Sequence, residues 1–349
     1  MKKVKFLAAI LILMVLSILS CKSSDDGLEV IPPRDRSEEA IVSAAEIETF
    51  LTTHFYNYEE FENPPADFDF MIKYDTIADD NSGKIPLIEQ VTSKNVKDRI
   101  DESVTYKLYY LNVAQGEGES PNFPDVTSVT YEGIYLNNET KNLDGDVINR
   151  SEVFDGSVVP VRFDLTEIAV FGFIDVLTEF NAASGSVINS DGTVTFENYG
   201  IGAAFIPSGL AYYVSPPTGI PIYSQLIFNF QLMSTELGDQ DLDKIPSIYE
   251  NLDGDNSVFD DNTDGDTLPN FADNDDDGDG RLTINEIVET VYPSFIEGVG
   301  EEPVLASNEI EINRKREEIT PGVFEITITT ITLTDSNSDG TPDYLDPDN

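Results

Sequence analysis

The chain has one cysteine, one histidine and no tryptophan among 349 residues. A single cysteine excludes a disulfide within the monomer. The lone histidine, His54, has no evident partner and reads as a structural or surface residue, not a catalytic one. Basic residues are scarce: 20 Lys and Arg stand against 66 Asp and Glu, a net charge of −46. Phosphate neutralisation needs clustered cations, so nucleic-acid binding is excluded. Long apolar runs are nearly absent. The one such run, Phe6 to Leu19, is too short and too close to the start for a convincing membrane span.

That run instead completes an export signal over residues 1–20, with Lys2, Lys3 and Lys5 as its positive start. It ends at Ile18-Leu19-Ser20-Cys21, which resembles a bacterial lipobox. The resemblance implies that Cys21 is lipidated and holds the chain to a membrane. Residues 21–36 read as a polar tether. Its Ser23-Ser24-Asp25-Asp26 run resembles the surface-export signal of Bacteroidetes lipoproteins. An outer-membrane lipoprotein is therefore expected, cell-surface exposed or facing the periplasm.

Beyond the tether, apolar residues at helical spacing from Ala45 to Phe61 predict a helix over 37–62, stopped by Pro64-Pro65. The expected units are an N-terminal helical segment (37–99), a mixed domain (100–236), acidic repeats (237–287) and a C-terminal strand segment (288–349). In the mixed domain Val104, Tyr106, Leu108 and Tyr110 alternate with Thr105, Lys107 and Tyr109, the period of a strand. Strands are also expected at 126–135, 159–165 and 226–233, with one helix near 173–180. The fold class is α+β, an antiparallel sheet wrapped on a short helix.

Five segments of this domain, in order, resemble the FKBP-type peptidyl-prolyl isomerase family. They are Val129-Thr130-Tyr131-Glu132-Gly133, Phe154-Asp155, the Pro160–Leu165 strand with Val170-Phe171-Gly172-Phe173, Pro207 to Ala211-Tyr212, and Gly219-Ile220-Pro221 with Leu226-Ile227-Phe228. The resemblance implies that Tyr131, Phe154, Val170, Phe173, Tyr212, Ile220 and Phe228 line a proline pocket. It also implies that Asp155 and the Tyr212 hydroxyl supply polar contacts, with no cofactor for catalysis. Phe173 stands where many family members carry Trp. Val161 stands where an aromatic is common, and Ala169 is smaller than usual. Insertions at 137–151 and 184–200 could rim the pocket. Rotation about X–Pro is slow because amide resonance opposes it by about 18–20 kcal/mol. A dry pocket that favours the twisted amide needs no nucleophile.

The acidic segment repeats a calcium-loop spacing. Asp275, Asp277, Asp279, Gly280, Leu282 and Glu286 match positions 1, 3, 5, 6, 8 and 12 of an EF-hand loop. Asp239, Asp241, Asp243 and Glu250 keep the ligand spacing with Lys244 at position 6. Asn262, Asp264, Asp266 and Asp273 place Thr267 there, and Asp335, Asn337, Asp339 and Asp346 keep Gly340. Pro246, Pro269 and Pro342 favour linear thrombospondin type 3-like or dockerin-like loops over paired helix-loop-helix hands. Structural Ca²⁺ is expected, stiffening a spacer. The expected function is prolyl isomerisation in exported polypeptides. The alternative is a non-catalytic peptide-binding or adhesin lipoprotein.

Overall fold

A strand buried on both faces loses its alternation, and residues 200–206 (Gly-Ile-Gly-Ala-Ala-Phe-Ile) are buried throughout. The computed structural model describes residues 32–141, 147–254 and 257–348, with the backbone path alone for 137–141 and 147–150. In chain order its elements begin with α1 (Arg36–Thr53), β1 (His54–Tyr56), α2 (Tyr58–Glu62) and β2 (Tyr74–Thr76). Then come β3 (Val91–Lys97), β4 (Thr105–Ala114), β5 (Val126–Lys141), β6 (Val147–Asp164), α3 (Phe171–Leu177) and β7 (Gly185–Ile188). The remainder are β8 (Val194–Glu197), β9 (Gly200–Ile206), β10 (Leu226–Glu236), β11 (Ile287–Val291), β12 (Phe295–Ile296), β13 (Glu309–Thr320) and β14 (Val323–Leu333). The expected α+β class describes this chain, mostly antiparallel sheet with few helices. Residues 36–349 form one compact unit.

Its centre is a six-stranded antiparallel sheet in the order β3-β4-β9-β10-β5-β6. One face presents Val129, Ala204, Ile206, Phe228 and Phe230 to Phe173, Ile174, Val176 and Leu177 of α3. The other face presents Tyr109, Leu111, Ile201, Phe205 and Ile227. Ile47, Phe50 and Leu51 of α1 cover it, with Ile72 and Leu87 from the following segment. Gly202 of β9 is required by close packing, since a Cβ there would lie 2.4 Å from the Phe180 ring.

The helix expected over 37–62 is broken. It ends at Thr53, and His54–Tyr56 pairs antiparallel with Thr76–Tyr74. Thr52, Thr53, Phe55 and Tyr56 are β-branched or aromatic, and the pairing partner supplied by tertiary structure makes that preference decisive. His54 is half-buried and stacks on Phe50 at 4.0 Å. Burial lowers its pKa, offset in part by the Phe50 carbonyl 3.1 Å from Nδ1. The histidine is thus part of the packing. The stretch expected as a lengthened loop at 137–151 continues the β5–β6 ladder to Lys141↔Val147.

Helix α1 is pinned at its start by Arg36, whose guanidinium bonds the buried Asp98 in the β3–β4 turn. Burial alone would raise the Asp98 carboxyl, but the N–H groups of Ile100 (2.7 Å) and Asp101 (3.0 Å), with Arg36, hold it below its ordinary value. A carboxyl lowered on folding contributes stability above its unfolded pKa of about 4, and loses it as pH falls through the folded value. Asp98→Asn is expected to cost about 1–3 kcal/mol at pH 7. In urea unfolding the gap between variant and wild type should narrow from pH 7 to pH 3. A pH-independent gap would contradict the assignment.

Candidate functional site

Face one of the sheet carries an aromatic cluster built from three strands and α3. Phe228 of β10 is its centre: Phe173 stacks on it at 4.8 Å, Tyr131 at 6.1 Å, and Phe154 meets it edge-on at 5.8 Å. Strand register brings these rings together, because Phe228 pairs with Gly133 and Phe230 with Tyr131. The Phe154 ring lies over Gly133, where a Cβ would come within 2.7 Å of it. Val170, Phe173, Ile220 and Phe228 are buried, whereas Tyr131, Phe154 and Tyr212 are half-exposed at the rim. The Tyr131 hydroxyl donates to Asp155 Oδ2 at 2.7 Å. Asp155 Oδ1 accepts from the Gly156 N–H at 2.9 Å. Burial, then the bond to Asp155, pushes the Tyr131 phenol up to about 12. Burial and the Asp155 charge also raise Tyr212. Seven of the eight residues named from sequence belong to one packed cluster, and the eighth, Asp155, is bonded to Tyr131 of that cluster. The chemistry there is an apolar floor with one exposed carboxylate and two neutral phenols.

The turn carrying Tyr212 is held from behind by α1. Ser208 Oγ donates to the buried Glu39 Oε1 at 3.3 Å, and Ser43 Oγ lies 3.2 Å from Ser208 Oγ. Gln225 accepts from the Ser208 N–H at 2.7 Å and donates to Glu46 at 3.0 Å. Gly209 admits the Tyr106 ring, which a Cβ would strike at 2.1 Å. None of this was legible beforehand, since Glu39 and Ser208 lie 169 residues apart. Phe163 was also missed; it packs on Tyr131 at 5.2 Å and on Phe173 at 6.4 Å. The alternation of Val161 and Phe163 on β6, continued by Leu165 just past its end, was the available signal. The 184–200 insertion forms the β7–β8 hairpin. Residues of β8 border a groove of about 970 Å³ with Phe70, Thr130 and Gln231, on the face opposite the aromatic floor.

The acidic loops form a second constellation. Carboxylate oxygens lie within 4.8 Å of one another in four groups: Asp239–Asp241–Asp243, Asp243–Glu250–Asp276, Asp264–Asp266–Asp273 and Asp275–Asp277–Asp279. Glu286 is buried, with Arg281 Nη1 3.6 Å from its Oε1. Asn262 accepts from the Gly265 N–H at 2.6 Å. In the last loop Asn337 donates to Asp346 Oδ2 at 2.8 Å, and Asp335 accepts from the Gly340 N–H at 3.0 Å. Lys244 takes the left-handed φ of +83° at position 6, as Gly280 (+94°) and Gly340 (+102°) do. Each loop ends in a single 3₁₀ turn, at 247–250, 270–272, 283–285 and 343–345, where an EF-hand would continue as an α-helix.

A second regularity escaped the sequence. Positions 2 and 9 are tied in every loop: Ser247 to Gln240 (2.5 Å), Asn270 to Thr263 (2.9 Å), Thr283 to Asp276 (2.7 Å) and Ser336 to Asp343 (2.7 Å). Only the third loop has a carboxylate at position 2. The expected linear spacer is not what forms. Gly278 of the third loop lies against Asp264 of the second, 2.7 Å from where its Cβ would be. The Asp346 charge of the last loop raises Asp277, after burial. Tyr344 is buried with Ile245 of the first loop and Ile331 of β14. The sheet of β11, β12, β13 and β14 returns the chain, so the loops converge on the third. The first loop also joins the central unit, where Gln240 donates to the Pro124 carbonyl at 2.9 Å.

Burial and neighbouring negative charge hold Asp241, Asp243, Glu250 and Asp276 well above the ordinary carboxylate range. Oxygen-only donors with unsatisfied, buried atoms fit a hard cation. Cys21 and the leader lie outside the described residues; among the described residues no helix is long and apolar enough to cross a membrane.

A family model described as BamM C-terminal matches residues 240–301, the first three loops and the start of the sheet that follows. Comparison with curated proteins finds no match. Among solved structures, FkpA from Escherichia coli is similar at 19% identity and a TM-score of 0.30, over 57% of this chain and 61% of that one. A peptidyl-prolyl cis-trans isomerase from Pseudomonas syringae pv. tomato is similar at 14% and 0.30, over 59% and 98%. The N-terminal domain of FKBP42 from Arabidopsis thaliana is similar at 12% and 0.28, over 42% and 94%. The chain spans about three fifths of the FkpA it matches. At these identities and TM-scores, likeness alone establishes no activity.

Proposed function

We propose that this chain is a membrane-anchored FKBP-type peptidyl-prolyl isomerase acting on proline-containing exported polypeptides. The observation that carries this reading is Asp155, exposed and oriented by Tyr131, at the rim of the Phe154–Phe173–Phe228 floor. A proline ring fits an apolar aromatic floor, and the half-exposed Tyr212 phenol would meet the substrate backbone. Desolvation weakens amide resonance, and each tenfold acceleration requires about 1.4 kcal/mol of preference for the twisted amide. Lipidated Cys21 would supply the anchor, outside the cytoplasm. The four loops would take structural Ca²⁺, which supplies positive charge to carboxylates that otherwise repel.

The test is NMR exchange on Ala-X-Pro-Phe peptides with the detergent-solubilised full chain in calcium. Exchange well above the uncatalysed rate, which takes tens to hundreds of seconds, is expected. Tyr212→Ala and Asp155→Ala should each lower it at least tenfold while the fold persists. Exchange at the peptide's own rate would reject catalysis. Peptide shifts on binding without faster exchange would support the peptide-binding alternative.

A further inference from the structure

The calcium reading above takes each loop as its own site. Resting on that reading, we infer that Asp243 and Glu250 of the first loop and Asp276 of the third form one buried Ca²⁺ site that ties the two loops together. Their ligand oxygens lie within 4.8 Å of one another. The three residues are 1%, 0% and 1% exposed. Asp243 Oδ2, both Glu250 oxygens and Asp276 Oδ1 are buried without a hydrogen-bond partner. Ser247, on the same turn as Glu250, donates its hydroxyl to Gln240.

Asp276 sits at position 2, which supplies no ligand in a single loop. Its Oδ2 accepts from Thr283, a tie that Gln240 and Thr263 make at the same position with neutral side chains. A carboxylate is therefore unnecessary for that tie, and it leaves Oδ1 over. The charges acting most strongly on Glu250 are those of Asp241, Asp243 and Asp276, all negative. A buried cluster of one sign calls for a cation, and dehydrated oxygen-only donors suit Ca²⁺ better than Mg²⁺, which retains water. Asp243 also belongs to the Asp239–Asp241 group, so those two carboxylates flank the ion.

The full chain, stripped with EDTA, is titrated with CaCl₂ by calorimetry. Glu250→Gln and Asp276→Asn should each remove one bound ion or weaken it at least tenfold. The double variant should lose that same ion and no second. Asp276→Asn keeps the acceptor for Thr283, so the position 2–9 tie survives. Its metal-free form should melt higher than metal-free wild type, and its calcium-induced rise in Tm should be smaller. Wild-type binding by a folded Asp276→Asn chain would overturn the shared site and leave separate loops standing. No calcium binding by wild type would overturn both readings. Should Asp276→Asn not fold, tyrosine-sensitised emission of Tb³⁺ decides. Tyr344 is the buried tyrosine whose phenol feels Asp276, Glu250 and Asp243. Tyr344→Phe should at least halve that emission, and unchanged emission would overturn the site.

Discussion

Removing divalent cations from the full chain is expected to unfold residues 239–346 and leave the six-stranded sheet standing. The module has a small core: among its described residues Ile245, Val258, Phe271, Ile326, Ile328, Ile331 and Tyr344 are the buried apolar ones. At about 1.5–3 kcal/mol each, these supply roughly 10–21 kcal/mol, which the cost of ordering the backbone, about 1–2 kcal/mol per residue, easily offsets. Roughly a third of residues 239–286 are acidic, with Lys244 and Arg281 as the cations. Buried unpaired carboxylates each cost several kcal/mol, so without a cation the balance is against folding. Each site at 100 times its Kd returns about 2.7 kcal/mol. Hydrogen exchange read by mass spectrometry, in calcium and in EDTA, should show protection lost over 239–346 and kept over β9 and β10. Equal protection in both conditions would show that calcium is not what holds the module.

A chain begun at residue 100 is the second large effect: it is expected not to fold. Such a start removes Ile47, Phe50, Leu51, Ile72 and Leu87 from the second face. At about 1.5–3 kcal/mol each, the lost burial is roughly 8–15 kcal/mol, as large as the whole stability of an ordinary domain. It also turns Tyr109, Leu111, Ile201, Phe205 and Ile227 to water. Asn229 and Gln231 would lose Ile72, Asp69 and Phe70 carbonyls, together with the Tyr74 hydroxyl at 2.6 Å. Circular dichroism and urea unfolding of chains begun at 36 and at 100 would test this. A cooperative transition in the shorter chain would show that the sheet needs no second cover. The same deletion removes Glu39 from behind Ser208, so the proposed isomerase activity should be lost with it.

Legibility followed the range of the interaction. The strand at 104–110 was readable because alternation is local, and the members of the aromatic cluster could be named together because five short motifs stand in order along the chain. The break at Thr53 was not, since β1 forms only against Tyr74–Thr76. Phe163 escaped because Val161 drew attention to the loss of an aromatic one alternation away. The stretch 137–151 read as a loop because its Asn, Gly and Asp carry turn preference, whereas the β5–β6 ladder extends to Lys141↔Val147.

By itself the sequence determined the absence of disulfides, the acidic excess, the loop spacings and the residue types of an aromatic floor. These follow from composition and from neighbours within about a dozen positions. Tertiary structure alone decided that α1 covers the second face and backs Tyr212, and that Asp276 crosses to the first loop. Both depend on pairs such as Glu39–Ser208 and Asp243–Asp276, which only packing and strand register bring within reach.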